Sequence, residues 1–344
     1  MRTKVLFGSV RENLSGLGLR GRGLLCCRRS LGQEITGQLD LYRLAISPEP
    51  TLEDIRSHWQ RIKGEEFDYV IAIGGGSVLD TAKILAALMT NGGDPADFIG
   101  EERIARDMKT LVAVPTTHGS GSEVTKYAVV KLPDAKHSVV SEKICPHFAI
   151  IDVDLVMGLP RDLTLYTSID ALCHSVESYL TRFSNPLVDV VCEAGIRSFF
   201  EGLDGAMEDR RDGRERMMLC SLLGGIAITW GQAYLVHALS HVLGARLNVP
   251  HGMANAVFLP GFLRFFRNHP KVGRLSGILG FDPLERLGEI YDRYGARKLS
   301  DLVSEREAAE IARAALPNRR LMRAGERETT LDDLLEIVRL SLQA

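Results

Sequence analysis

The chain has 344 residues, 25% of them charged, and its 42 Lys and Arg against 44 Asp and Glu leave a formal net charge of −2. That balance gives neither nucleic acid nor an anionic membrane an electrostatic footprint to bind. No apolar run approaches the roughly 18 residues of a transmembrane helix, and the opening MRTKVLFGSVRENLSG lacks the apolar stretch of a signal peptide, so a cytoplasmic protein is expected.

The first half alternates short apolar runs with amphipathic stretches, the pattern of a parallel sheet with crossover helices. VLFG (5–8), GLLCC (23–27) and DLYRLAI (40–46) read as strands, with SLGQEITGQL too short for a full crossover helix between the last two. TLEDIRSHWQRIKG (51–64) reads as a helix, DYVIAIGGG (68–76) as a buried strand running into glycines, and SVLDTAKILAALMTN (77–91) as the helix that follows. TLVAVPTT (110–117) and HFAIIDVDL (147–155) complete the strands of this half.

After Pro160 helical periods dominate: 161–182, 186–204, 213–231, 232–246, 252–268, 284–294, 304–315 and 330–342. The Arg-rich stretch from Pro317 to Thr330 reads as a solvated loop. The expectation is an α/β domain over 1–157 followed by an all-α domain over 158–344. The six cysteines are scattered apart from Cys26 and Cys27, which points to reduced thiols rather than a disulfide framework. Cys173 neighbours His174, and it is expected to pack in the core.

The helical half carries a set of metal-ligand types. Asp170 and His174 stand four apart in IDALCHSVESYL, so a helix places both on one face. His237 and His241 repeat the spacing in YLVHALSHVLG, and His251 follows in NVPHGMANAVFLP where a helix should begin. A single histidine on an apolar face is usually a packed core residue; two i,i+4 pairs and a fifth residue at a helix start favour a metal. Asp170, His174, His237 and His251 together offer one carboxylate and three imidazoles, which suit Fe²⁺ or Zn²⁺. Four protein ligands leave room for a substrate oxygen, so the site reads as catalytic.

Two glycine-rich turns end strands in the first half. GGGSVLDTAK (74–83) opens a helix, where backbone N–H groups can approach a phosphate and Ser77 can cap the helix or bind a phosphate oxygen. TTHGSGSEVT (116–125) alternates hydroxyls with glycines after the next strand. Neighbouring strand ends form one crevice, the usual ligand site of an open α/β sheet.

Taken with KHSVVSEKICPHFAIIDVDL, these segments resemble the iron-containing alcohol dehydrogenases in order and spacing from about Asp68 to Leu259. The resemblance implies a dinucleotide-binding α/β domain and a helical metal-binding domain, an architecture shared with dehydroquinate synthases. Matched position by position, the metal ligands fall on Asp170, His174, His237 and His251. His241 matches a histidine beside the nicotinamide, which makes it the candidate proton relay. Gly75, Gly76, Ser77 and Asp80 match the pyrophosphate turn, Thr116, Thr117 and Ser120 a second set of phosphate and nicotinamide contacts, and Lys136 a cofactor-contacting lysine.

The sequence departs from the family where GLLCC runs into Arg28, Arg29 and Ser30 instead of the aspartate that accepts the ribose hydroxyls of NAD. Arg29 and its neighbours present cations where the 2′-phosphate of NADP would sit. His118 and His137 stand where other residue types are usual, either shaping a substrate pocket or exposed. The implied activity is hydride transfer between NAD(P)(H) and a small alcohol or aldehyde, helped by a divalent metal acting as a Lewis acid, in a homodimer or higher homo-oligomer. Two alternatives share the scaffold: a lyase or synthase like dehydroquinate synthase, and a phosphonoacetaldehyde-type reductase, to which KHSVV is similar.

Overall fold

The structure, a computed structural model, describes residues 2–28, 33–37, 39–132 and 136–344. It divides into two compact units, one ending at Leu159 and the other beginning at Pro160.

The first unit is built on a six-stranded sheet. Its strands are β1 (Lys4–Phe7), β2 (Gly23–Cys27), β3 (Leu41–Ala45), β4 (Tyr69–Gly74), β6 (Thr110–Pro115) and β9 (Phe148–Ile151), with β5 (Gly100–Glu101), β7 (Tyr127–Lys131) and β8 (Lys136–Val140) lying elsewhere. The order across the sheet is β1-β9-β6-β4-β2-β3, and every pairing in it is parallel. Both faces are covered, as a parallel sheet requires. Along β4, Val70 and Ala72 pack into one apolar cluster while Tyr69, Ile71 and Ile73 pack into another.

Helices α1 (Val10–Gly16), α2 (Leu52–Ile62) and α3 (Gly76–Asn91) belong to this unit. α2 starts at a capping box in which Thr51 and Asp54 bond reciprocally. α3 has an almost continuous buried run from Val78 to Leu88, because it packs on β4 and β6 and also on β7. β7 belongs to a second sheet, order β5-β8-β7, that the sequence reading lacked. KHSVV forms its middle strand, antiparallel to β7 with Lys131 opposite Lys136. These strands are short, two to five residues, and Lys136 and His137 interrupt the apolar run of β8, so their periodicity is weak.

The described residues of the second unit are helical: α4 (Arg161–Tyr179), α5 (Pro186–Met207), α6 (Arg211–Gly231), α7 (Leu235–Leu247), α8 (His251–Ala256), α9 (Leu259–Phe265), α10 (Pro270–Leu279), α11 (Pro283–Tyr294), α12 (Glu305–Ala315), α13 (Arg319–Met322) and α14 (Leu331–Leu342). The single period expected over 252–268 is two helices, because Pro260 has no N–H to continue the first and sits instead in the opening turn of α9. The stretch from Pro317 to Thr330 is not simply a solvated loop. It contains α13, buries Leu321, Met322 and Ala324, and receives N–H bonds from Arg182 at Ala324 O and from Gln232 Nε2 at Arg320 O. Its exposed arginines masked that short apolar anchor. Among the described residues no single helix is long and apolar enough to cross a membrane.

Candidate functional site

α4 presents Asp170 and His174 one turn apart, within a stretch buried from Ser168 to Tyr179. Two glycines let neighbouring helices reach that stretch. A Cβ at Gly224 of α6 would stand 2.9 Å from Ala171 O and 3.1 Å from His174 Cβ, and one at Gly252 of α8 would stand 2.4 Å from Tyr166 O. The close approach of α8 carries His251 to the carboxylate. α7 arrives after a 108° bend from α6, with Gln232 between them at φ +76°.

The result is a buried convergence of lone pairs. Asp170 Oδ1 lies 3.7 Å from His174 Nε2, 3.9 Å from His237 Nε2 and 3.7 Å from His251 Nε2. The donor atoms of Asp170, His174 and His237 all fall within 4.8 Å of one another. Tetrahedral ligands on bonds of about 2.0–2.1 Å stand roughly 3.4 Å apart, so each imidazole's distance to Asp170 is within a few tenths of an ångström of that spacing, while His251, outside the three-residue group, has further to close in. His241 flanks the group, its ring 5.6 Å from that of His251 and 6.1 Å from that of His237.

Two further residues support the cluster, and the sequence reading named neither. Glu177, fully buried one turn after His174, bonds His237 Nδ1 and also accepts the backbone N–H of Val236 at 2.6 Å. It thereby caps α7, which has no side-chain cap of its own, and leaves His237 Nε2 as the lone-pair end of the ring. Burial disfavours the His237 imidazolium, but the charge and hydrogen bond of Glu177, joined by Asp170, outweigh it and raise the pKa. A carboxylate behind an imidazole makes it a better donor to a cation.

Asn255 is the second. Its amide donates to Asp170 Oδ1 at 2.6 Å and lies 3.3 Å from both His237 Nε2 and His251 Nε2, while its Oδ1 is buried with no hydrogen-bond partner among the described residues. Three electron-rich groups thus point at one N–H donor, as they would at a cation. Both residues were findable as same-face continuations: Glu177 is Asp170 plus seven, and Asn255 is His251 plus four. Cys173, as expected, is buried in the core.

In the first unit the two glycine-rich turns touch. A Cβ at Gly75 would stand 3.3 Å from Thr117, and one at Gly76 would stand 3.1 Å from Ser120 Oγ. Gly75 is the N-cap of α3, and no side chain caps that end; Ser77 lies inside the helix and is not its cap. Its hydroxyl instead accepts the Glu49 N–H at 3.1 Å. Thr116 continues the strand, its N–H donating to Gly74 O. Asp80 is committed to protein partners: it accepts the Ser122 hydroxyl at 2.5 Å and the Val129 N–H at 2.9 Å. Lys136 pairs with Glu49 at 3.0 Å. His118 is fully buried, so the exposed alternative for it is wrong. Arg28 is exposed at the end of β2, whereas Arg29 and Ser30 lie outside the described residues.

Within the second turn, Glu123 is 1% exposed and its Oε2 has no hydrogen-bond partner among the described residues. Burial pushes its pKa up to about 7, against a backbone hydrogen bond and the nearby Lys83 charge. An acid whose folded pKa exceeds its unfolded value of roughly 4.3 binds more protons when folded. Stability should therefore fall as pH rises from about 4.3 to about 7, by on the order of 3 kcal/mol from this group. Glu123→Gln should flatten that slope and leave the protein more stable above neutrality. Urea denaturation across this pH range tests it, and an unchanged slope in the variant would assign the pH dependence elsewhere.

Comparison with known proteins identifies the family. The family model described as iron-containing alcohol dehydrogenase matches residues 28–153, and that described as the C-terminal part of the Fe-containing alcohol dehydrogenase family matches 164–342. Alcohol dehydrogenase 4 of Schizosaccharomyces pombe is 32% identical over 240 residues, which are 69% of this chain and 57% of that protein. The 1,3-propanediol dehydrogenase of Klebsiella pneumoniae is 33% identical over 241 residues, 68% of this chain and 62% of that one. The matches thus span about three fifths of these relatives' length. The iron-containing alcohol dehydrogenase structure from Thermococcus thioreducens superposes with a TM-score of 0.91 at 24% identity, covering 100% of this chain and 99% of that one. With both halves matched in order and over most of their length, the chain belongs to the iron-containing alcohol dehydrogenase family.

Proposed function

We propose that this chain is a metal-dependent alcohol dehydrogenase or aldehyde reductase acting on a small alcohol or aldehyde with NAD(P)(H). The observation that supports it best is the gathering of His174, His237 and His251 around the carboxylate of Asp170, with Glu177 behind His237. When bound, a divalent ion supplies Lewis acidity toward a substrate oxygen and the dinucleotide exchanges hydride at its nicotinamide. A site with one carboxylate, three imidazoles and no thiol suits Fe²⁺, with Zn²⁺ the competing ion. The residues up to 157 take the nucleotide role and those from 158 the metal role.

The chain's own groups account for the remaining requirements. The uncapped first turn of α3, lying against Thr117 and Ser120, receives phosphate oxygens. His241, one turn from His237 and 7% exposed, relays the proton of the substrate hydroxyl. The basic pair Arg28 and Arg29, which follows GLLCC in the sequence, favours NADP through its 2′-phosphate. The name of the Klebsiella relative makes 1,3-propanediol a first substrate to try.

The test is to load the protein with Fe²⁺ or Zn²⁺ and screen small alcohols and aldehydes with each cofactor. Turnover should need the ion and be faster with iron, and NADP should bind about ten- to a hundredfold more tightly than NAD. His241→Ala should keep a full equivalent of metal yet lose about a hundredfold in turnover, with a changed pH profile. Metal loss in His241→Ala equal to that in His237→Ala would place His241 among the ligands. Tighter binding of NAD than NADP would overturn the cofactor assignment.

A further inference from the structure

The loop after β3 holds a residue that the nucleotide reading does not use. Glu49 has φ +48°, a left-handed conformation that glutamate rarely adopts, and prolines on either side, Pro48 and Pro50, stiffen the chain around it. Its N–H donates to Ser77 Oγ at 3.1 Å, and its carboxylate meets Lys136 Nζ at 3.0 Å. The Lys136 side chain is 7% exposed against 34% for that of Glu49, so the ammonium lies inward and the carboxylate covers it. A sterically costly backbone is thus kept at the point where the loop, the first turn of α3 and β8 are tied together, and such conformations concentrate at functional sites.

We propose that Glu49 is an affinity-setting restraint on the nucleotide site: its carboxylate neutralises Lys136 and sets how tightly phosphate groups are held at the first turn of α3. This rests on the reading of Gly75–Ser77 and Lys136 as phosphate contacts. A lysine facing a carboxylate at 3.0 Å offers an incoming anion little net charge. The dianionic pyrophosphate of a dinucleotide must share that ammonium or draw it away, and in both cases it approaches a fixed negative charge. The lysine is held in place, and the same contact keeps affinity low enough for the product cofactor to leave.

The experiment is calorimetric titration of NAD and of inorganic pyrophosphate into the metal-loaded protein and its variants Glu49→Gln, Glu49→Asn, Lys136→Met and Ser77→Ala. Asparagine is included because it accepts the left-handed backbone. Both neutral replacements of Glu49 should bind NAD and pyrophosphate about three- to tenfold more tightly than the parent. That gain should shrink as salt is raised, because it is electrostatic. Lys136→Met should weaken both ligands. Unchanged or weaker binding in both Glu49 variants, with Lys136→Met still weakened, overturns the proposal and leaves the nucleotide site intact. No change in any of the four variants means that the nucleotide does not bind at this turn, and the proposal falls with that reading.

Discussion

Replacing His237 by alanine should remove the bound divalent ion and lower alcohol turnover by about a thousandfold or more. The estimate follows from the several kcal/mol of charge stabilisation that a Lewis-acidic ion supplies, each 1.4 kcal/mol being about tenfold in rate. His237 is the ligand candidate on which the structure spends most: it is 5% exposed, stacked on His174 at 4.8 Å between ring centroids, and bonded at Nδ1 by the buried Glu177. Its loss opens one corner of the cage and strands a carboxylate behind it. Glu177→Gln should have a graded effect. The imidazole keeps a hydrogen-bond partner but loses a charge, and metal affinity should fall about ten- to a hundredfold while saturating metal restores most turnover. His251→Ala, at the more exposed corner, should resemble His237→Ala in turnover. Metal analysis after dialysis separates these outcomes, and a full equivalent of ion retained by His237→Ala would remove that residue from the ligand set.

Much of this site is legible in the sequence because helices make spacing equivalent to direction. Asp170 with His174, and His237 with His241, announce two faces, and the i,i+4 rule needs no knowledge of the fold. The strand–glycine–helix run from Tyr69 to Asn91 is equally readable, since apolar burial and turn chemistry agree along it. Glu177 and Asn255 escaped because a carboxylate or amide on a helix face is ordinarily a solvated residue, and only tertiary packing buries these two. The sheet formed by β5, β8 and β7 escaped for a similar reason: Lys136 and His137 on β8 break the apolar run of a strand whose buried residues are Val139 and Val140. The Glu49–Lys136 pair joins residues 87 apart in sequence, and no local rule connects them.

The largest effect on stability is expected at Lys83, which carries no exposed surface at all. Its Nζ donates to Thr125 O and Thr125 Oγ1 at 2.9 Å and to Tyr127 O at 2.8 Å, so all three ammonium donors are used. Burial lowers its pKa and the charge of Asp80 opposes that shift; burial likewise raises Asp80, with Lys83 opposing. The two charges ease one another from one helical turn apart on α3 without forming a direct ion pair, and Lys136 also acts on Asp80. Together they pin the strand end at 122–129 against that helix, Lys83 through the two carbonyls and Asp80 through Ser122 and Val129. Lys83→Met keeps the length of the side chain but removes one of the two cations acting on Asp80 and leaves the two carbonyls without that donor. Taking a charged donor from buried carbonyls costs about 1–3 kcal/mol for each, a large share of the roughly 5–15 kcal/mol that holds a typical domain folded. The urea midpoint should drop accordingly with little change in slope. Adding Asp80→Asn should recover part of the loss, because a neutral pair has no stranded charge. A single variant within about 1 kcal/mol of the parent would mean that water or another cation replaces the ammonium, and that the pair is not what joins α3 to the second glycine-rich turn.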